Sequence, residues 1–226
     1  MNASIIIPAF NRIDMTIACL TALYEHTDDY ELILIDNGSG DATHDLEGPD
    51  IVIRNAENLG FARACNQGAA LASGDVLIFL NNDTEPCPGW LKPLLDALKA
   101  PNVAVAGSML TYPDGRVQHA GVGLRGSGRT YEAFNMTDPR PFGDVAAVTG
   151  ACLAIRREIF NDLGRFDEGY WNGYEDVDLC LRVREAGYRI VYDPDSIVIH
   201  HESASGPERW SHVRENVERL QKRWGG

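Results

Sequence analysis

No apolar run in this chain is long enough to span a bilayer, and the opening MNASIIIPAFNR lacks the basic n-region and the length of a secretory signal. The cytoplasm is therefore the default expectation, with peripheral contact at the inner face of a membrane left open. Cysteine pairing is also missing. Cys19, Cys65, Cys87, Cys152 and Cys180 are an odd, scattered set without a CxxC, which excludes a zinc framework or a disulfide scaffold. Basic patches are scarce: 20 Lys and Arg stand against 33 Asp and Glu, a net charge of −13, so a phosphate-gripping nucleic-acid face is not expected. Arg209, Arg214, Arg219, Lys222 and Arg223 are interleaved with acids and read as a solvated helix face. There is no GxGxxG after a strand, no repeat and no low-complexity tract.

What is present is a sizeable apolar fraction, 44% of 226 residues, arranged as alternating short runs and longer periodic segments. Ser4–Pro8, Glu31–Asp36, Ile51–Asn55, Val76–Asn81 and Val103–Met109 read as strands, with helices at Asp14–His26, Phe61–Ser73 and Gly89–Lys99 between them. That order implies an α/β fold with a doubly wound, mostly parallel sheet flanked by helices. Thr111–Asp144 is rich in Gly, Pro and Thr and predicts a hairpin and a long surface loop. Val145–Ile155 then reads as a strand, Glu175–Ala186 as a helix, Ile197–His200 as a short strand and Pro207–Trp224 as a last helix. The whole of 1–226 is treated as one domain.

The strand ends carry the candidate chemistry. In VLIFLNNDTEP a buried strand stops on two amides and an acid, Asn81, Asn82 and Asp83, where open α/β sheets bind ligands. The same segment also reads as an Asx turn. Pro8, Ala9 and Asn11 lie between the first strand and a helix start, with free backbone groups toward the crevice. Asp36 in LILIDNGSGD is suited either to a nucleobase N–H or to a turn. Asn58, Gly60 and Arg63 open the next helix, Gly60 permitting close backbone approach and Arg63 able to reach a phosphate or base. Trp171-Asn172-Gly173-Tyr174-Glu175-Asp176-Val177-Asp178 sets aromatic residues before three acids at a helix N-terminus, which also favours acids through its dipole alone.

Six segments, SIIIPAFNR, ELILIDNGSGD, NLGFARACNQGAALASGDVLIFLNNDTEP, TGACLAIRREIF, GRFDEGYWNGYEDVDLCLRVREAGYRIVYDP and SIVIHHES, together resemble a family 2 glycosyltransferase of the GT-A fold, near bacterial rhamnosyltransferase-like members. The resemblance covers nearly the whole chain. It implies inverting transfer of a sugar, rhamnose among the candidates, from a dTDP- or UDP-type donor to a glycan or lipid-linked acceptor, with Mn²⁺ or Mg²⁺ on the diphosphate. It assigns Asp83 as the metal carboxylate, with Asn81 standing where the family's DxD has its first acid. His200 becomes a further metal ligand with His201 as its rival, and Asp176 with Glu175 takes the position of the catalytic base. Gly150 and Ala151 fall near donor sugar and acceptor, and Trp171 and Tyr174 offer a platform for a sugar ring. The missing first acid keeps a non-catalytic nucleotide-sugar or glycan-binding module open. A sugar nucleotidyltransferase would need a Gly-rich phosphate loop that PAFNRID does not supply.

Overall fold

The computed structural model describes residues 1–125, 132–201 and 211–225. Four parallel strands, β1 (Ala3–Ala9), β2 (Tyr30–Asp36), β3 (Ile51–Arg54) and β4 (Val76–Leu80), lie in the order β3-β2-β1-β4. Helices α1 (Ile13–His26) and α2 (Phe61–Leu71) make two of the crossovers. The chain therefore winds outward from β1 to β3 and returns to the other side of β1, creating a switch point between β1 and β4.

After β4 come β5 (Thr84–Pro86), α3 (Leu91–Ala97), β6 (Val103–Thr111), β7 (Val117–His119), β8 (Val122–Arg125), β9 (Glu132–Asn135) and β10 (Gly143–Asp144). The last stretch holds β11 (Cys152–Arg156), α4 (Arg157–Asp162), α5 (Glu175–Glu185), β12 (Arg189–His200) and α6 (Val213–Trp224). The sheet continues β4-β11-β6-β12-β10, with β11 antiparallel to both of its neighbours and β12 parallel to β6.

Both faces of the sheet are covered, which is why its strands read as unbroken apolar runs. Ile5, Ile7, Leu34 and Ile78 pack against Leu20 and Leu23 of α1 and Leu91 and Leu94 of α3. Their neighbours in sequence, Ile6, Ile35, Leu77 and Phe79, turn the other way onto Cys65 of α2, Phe160 of α4 and Leu179 and Val183 of α5. Phe79, Phe160 and Phe166 form a cluster with centroids 4.7–5.3 Å apart, Phe166 edge-to-face with each of the other two.

Three sequence expectations need correction. Only Cys152–Arg156 of the expected strand Val145–Ile155 is β-strand; residues 145–151 leave the sheet and cross its end, where the Asn81 N–H donates to the Ala151 carbonyl at 3.0 Å. The expected short strand Ile197–His200 is the end of the twelve-residue β12, whose register shifts between Asp193 and Ile197. Asp193-Pro194-Asp195 looks like a break in sequence, yet an irregular step in the pairing accommodates the proline. The long segment expected as a hairpin and loop holds four short strands, of which β8 and β9 are the hairpin. The last helix is described from Val213 onward, and residues 207–210 of its expected range lie outside the described residues.

Gly107 of β6 sits under the crossing segment. A Cβ there would lie 2.4 Å from Val148 Cγ1 and 2.5 Å from Val148 Cβ. Gly107→Ala is expected to cost about 1–3 kcal/mol by overpacking, read as a lower urea midpoint at unchanged m.

His119 of β7 is buried, donating from Nδ1 to Asn135 Oδ1 at 2.5 Å and accepting the Thr149 N–H at Nε2, 3.4 Å away. Burial pushes its pKa down to about 4 from 6.5. Below pH 6.5 the unfolded chain takes up a proton that the folded chain refuses, so this contribution is complete above that pH and lost as pH falls toward 4. Urea midpoints between pH 7.5 and 4.5 should fall less steeply for His119→Gln than for the parent protein.

Candidate active site

A cavity opens at the carboxyl ends of β1 and β4, the switch point of the sheet. Pro8 and Ala9 line it from β1, Asn81, Asn82 and Asp83 from the turn after β4, and Thr149, Gly150 and Ala151 from the crossing segment. Trp171, Asn172, Gly173, Glu175 and Asp176 close the opposite side, and Asn37, Asn58 and Phe61 the end beside β2.

The turn after β1 is built from two left-handed residues, Asn11 at φ 56° and Arg12 at φ 58°. Asn11 does not line the cavity. Its N–H donates to Ser39 Oγ and its Oδ1 accepts the Gly40 N–H, both at 2.8 Å, so it ties the β1 turn to the β2 turn. Asp36 is likewise outside the lining, and its Oδ1 accepts the Ser39 N–H at 2.9 Å in the Asx geometry. The polar residue that the β2 end does present is Asn37, which the sequence reading did not single out.

Asn37 accepts from Asn55 Nδ2 at 2.9 Å and from the Leu59 N–H at 3.1 Å, and donates to Asn58 Oδ1 at 2.9 Å. Asn58 accepts the Gly60 N–H at 2.9 Å. This amide chain holds the start of α2 at the cavity. Gly60, at φ 82°, is needed there: a Cβ would stand 3.1 Å from Trp171 Cε3. Arg63 is turned away, its Nε 3.4 Å from Glu168 Oε2, because on α2 it projects from a different face than Phe61.

The opposite wall rests on backbone geometry that few side chains adopt. Asn172 has φ 49° and Tyr174 φ 72°, positions that cost of order 1–3 kcal/mol each and cluster at functional sites. Asn172 Oδ1 accepts the Phe61 N–H at 2.8 Å, capping α2 from 111 residues away. Asn216 of α6 brackets Trp171, accepting its N–H at 3.1 Å and donating to its carbonyl at 2.8 Å. Tyr174 does not line the cavity; it packs against Tyr170, Val177, Leu181 and Leu220, so of the two expected platform aromatics only Trp171 faces the site.

The acids at the start of α5 are divided by helical periodicity. Asp178 is wholly buried, held by Arg182 Nε and Trp224 Nε1, each at 2.9 Å. Glu175 and Asp176 face the cavity. Glu175 accepts the Gly173 N–H at 2.7 Å, and Asp176 Oδ2 accepts the Gly150 N–H at 2.8 Å. A Cβ on Gly150 would lie 3.1 Å from Phe61 Cζ and 3.6 Å from Asp176 Cβ, so glycine lets the crossing segment approach the acid.

On the Asp83 side, β12 pairs with β5 so that His200, which does not itself line the cavity, lies beside Thr84 and next to Asp83. His200 Nε2 is 3.2 Å from Asp83 Oδ1, and both side chains are 7% exposed. His201 points to the other side and meets Glu85 Oε1 at 2.5 Å, as strand alternation requires. Asn82 donates from Nδ2 to Thr16 Oγ1 at 2.9 Å. No group of three or more His, Cys, Asp or Glu able to hold an ion occurs among the described residues. The two donors nevertheless fit a cation shared with a phosphate ligand: their separation is that of neighbouring ligands, about 3 Å, in an octahedron with bonds near 2.1 Å. One carboxylate with one imidazole suits Mn²⁺ better than Mg²⁺.

The profile of glycosyl transferase family 2 matches residues 4–164. Among curated proteins, the uncharacterised y4gI of Sinorhizobium fredii is 34% identical over 98% of this chain and 27% of its own length. The O-antigen biosynthesis protein RfbC of Myxococcus xanthus is 35% identical over 90% of the chain and 18% of its own length. An N-acetylglucosaminyl-diphospho-decaprenol L-rhamnosyltransferase of Mycobacterium tuberculosis is 32% identical over 80% of the chain and 70% of its own length. The chain thus spans roughly a fifth to a quarter of the first two relatives. Among solved structures, the mannosyltransferase PcManGT of Pyrobaculum calidifontis, in complex with GDP-Man and Mn²⁺, superposes with a TM-score of 0.73 at 19% identity over 99% of this chain and 65% of its own. GalNAc-T7 with UDP, GalNAc and Mn²⁺ gives 0.72 at 21% identity over 88% of this chain and 44% of its own. With a GT-A fold and a family profile that matches well over half of its residues, this chain belongs to glycosyl transferase family 2.

Proposed function

We propose that the chain moves a sugar, with inversion, from a nucleoside-diphosphate sugar to a glycan or lipid-linked acceptor, aided by a divalent cation. The observation that carries this reading is the convergence of two acidic sites on one cavity, Asp83 from the turn after β4, with His200 against it from outside the lining, and Glu175 with Asp176 from the start of α5. Inversion needs a base and a leaving group on opposite faces of the anomeric carbon, and the cavity offers that division.

In this reading Asp176 takes the proton of the acceptor hydroxyl, held in line by the Gly150 N–H on its Oδ2. The hydroxyl oxygen attacks the anomeric carbon as the bond to the diphosphate breaks, and the new bond carries inverted configuration. Asp83 and His200 would hold the cation, which when bound would neutralise charge on the departing diphosphate. Asn37 and Asn58 face the end of the cavity that accepts the nucleoside, and Trp171 offers an apolar face for a sugar ring. Rhamnose is the favoured sugar on the strength of the rhamnosyltransferase relative, and dTDP or UDP the favoured carrier. A lipid-linked acceptor fits the same relative, although no helix among the described residues is long and apolar enough to cross a membrane. The nucleotide is assigned to the 1–110 half and the acceptor to the 111–226 half, with the base reaching in from the latter.

Asp176→Asn is expected to lower transfer by at least about 10²-fold while nucleotide binding is retained. Loss of both together would make Asp176 a structural acid. Thermal unfolding with UDP, dTDP, GDP, ADP and CMP, each with Mn²⁺ or EDTA, should give a metal-dependent stabilisation by one diphosphate, about 2.7 kcal/mol at 100 times its dissociation constant. Asp83→Ala should remove the metal dependence. Stabilisation without transfer or donor hydrolysis would favour a binding module, the reading that Asn81 in place of an acid keeps alive.

A further inference from the structure

We infer that Gln118 is a positioning residue that fixes the tautomer of His200, keeping its Nε2 lone pair turned toward Asp83. The inference rests on the reading of Asp83 and His200 as cation ligands, and goes beyond it by assigning a role to a strand that touches neither the cavity nor a substrate.

The argument comes from donor and acceptor bookkeeping. Gln118 lies in β7, is buried, and meets His200 twice. Its Nε2 is 3.2 Å from the His200 backbone carbonyl, and its Oε1 is 2.6 Å from His200 Nδ1. A carbonyl can only accept, so the NH₂ end of the amide belongs there and the amide oxygen faces the ring. An amide oxygen also only accepts, so Nδ1 carries the hydrogen. The neutral ring then has its lone pair on Nε2, 3.2 Å from Asp83 Oδ1. Two acceptor atoms so close in a buried setting repel unless a proton or a metal cation stands between them, and the metal cation is the use proposed for the pair.

β7 itself is secured from the other side, where Asn135 Nδ2 donates to the Gln118 carbonyl at 2.7 Å. That bond holds the backbone from which the side-chain amide reaches His200. Without it, the ring gains by moving its hydrogen to Nε2 and donating it to the Asp83 carboxylate. That tautomer closes the lone pair a cation needs. Sequence reading passed over Gln118 because 82 residues separate it from His200, and only the approach of β7 to the end of β12 brings them together.

Two readouts test this without relying on transfer activity. Imidazole ¹⁵N shifts of His200 in the metal-free protein at pH 8.5, above the ordinary histidine range, should report the Nδ1–H tautomer in the parent protein. Gln118→Leu should move His200 toward the Nε2–H tautomer, and Gln118→Glu, whose carboxylate still accepts from Nδ1, should hold the parent tautomer. Mn²⁺ titrated by EPR in the presence of the stabilising nucleoside diphosphate should bind 10–100-fold more weakly to Gln118→Leu and within a few-fold of the parent to Gln118→Glu. An unchanged tautomer in Gln118→Leu, or equal Mn²⁺ losses in the two variants, would overturn the inference. Absence of Mn²⁺ binding in the parent protein would instead overturn the metal reading, with the tautomer measurement still deciding the role of Gln118.

Discussion

A sheet buried on both faces leaves no place for charged groups along its central strands β1 and β4, and that constraint governs this molecule. Ile5, Ile6 and Ile7 of β1 each face apolar neighbours, and so do Leu77, Ile78 and Phe79 of β4. Chemistry is thereby confined to the strand ends, and the return of the chain past β1 spreads the turns after β1 and β4 apart into a cavity. Asp83 lies in that cavity because it is among the first residues beyond the buried part of β4.

The opposite wall has no strand of its own to hold it, and depends on side chains that satisfy backbone groups at long range. Asn172 caps α2, Asn216 brackets Trp171, and Asp176 accepts the Gly150 N–H. Each of these bonds joins segments at least 26 residues apart. The left-handed residues Asn172 and Tyr174 turn the chain so that Asp176 faces the cavity while Asp178, two residues on, is locked against Arg182 and Trp224 in the interior. Much of this wall, including Trp171, Glu175 and Asp176, lies beyond the 4–164 segment that the family profile matches, and so does His200 on the Asp83 side.

Most of the elements were legible in the sequence because their signals are local: unbroken apolar runs for β1 to β4, helical period for α1, α2 and α5. Pro8, Ala9, Asn58, Asp83, Gly150, Trp171, Glu175 and Asp176 converge on one cavity as expected. The residues misjudged share a cause. Arg63, Asp36 and Tyr174 have chemistry suited to a ligand, but whether they reach one depends on which side of a helix or turn faces the cavity, and here Glu168, Ser39 and the packing around Leu220 take them instead. Asn37 and Gln118 went unremarked because an amide has no distinguishing signal until its partners are known.

The sequence alone determined the alternation of strands and helices and the acids at their ends, since these follow from periodicity and composition. The tertiary structure decided between His200 and His201: β12 runs on through its irregular step and pairs with β5, so strand alternation sets His200 on Asp83 and sends His201 to Glu85. That choice depends on register, and register is fixed by pairing between segments more than a hundred residues apart, which no local pattern in either segment encodes.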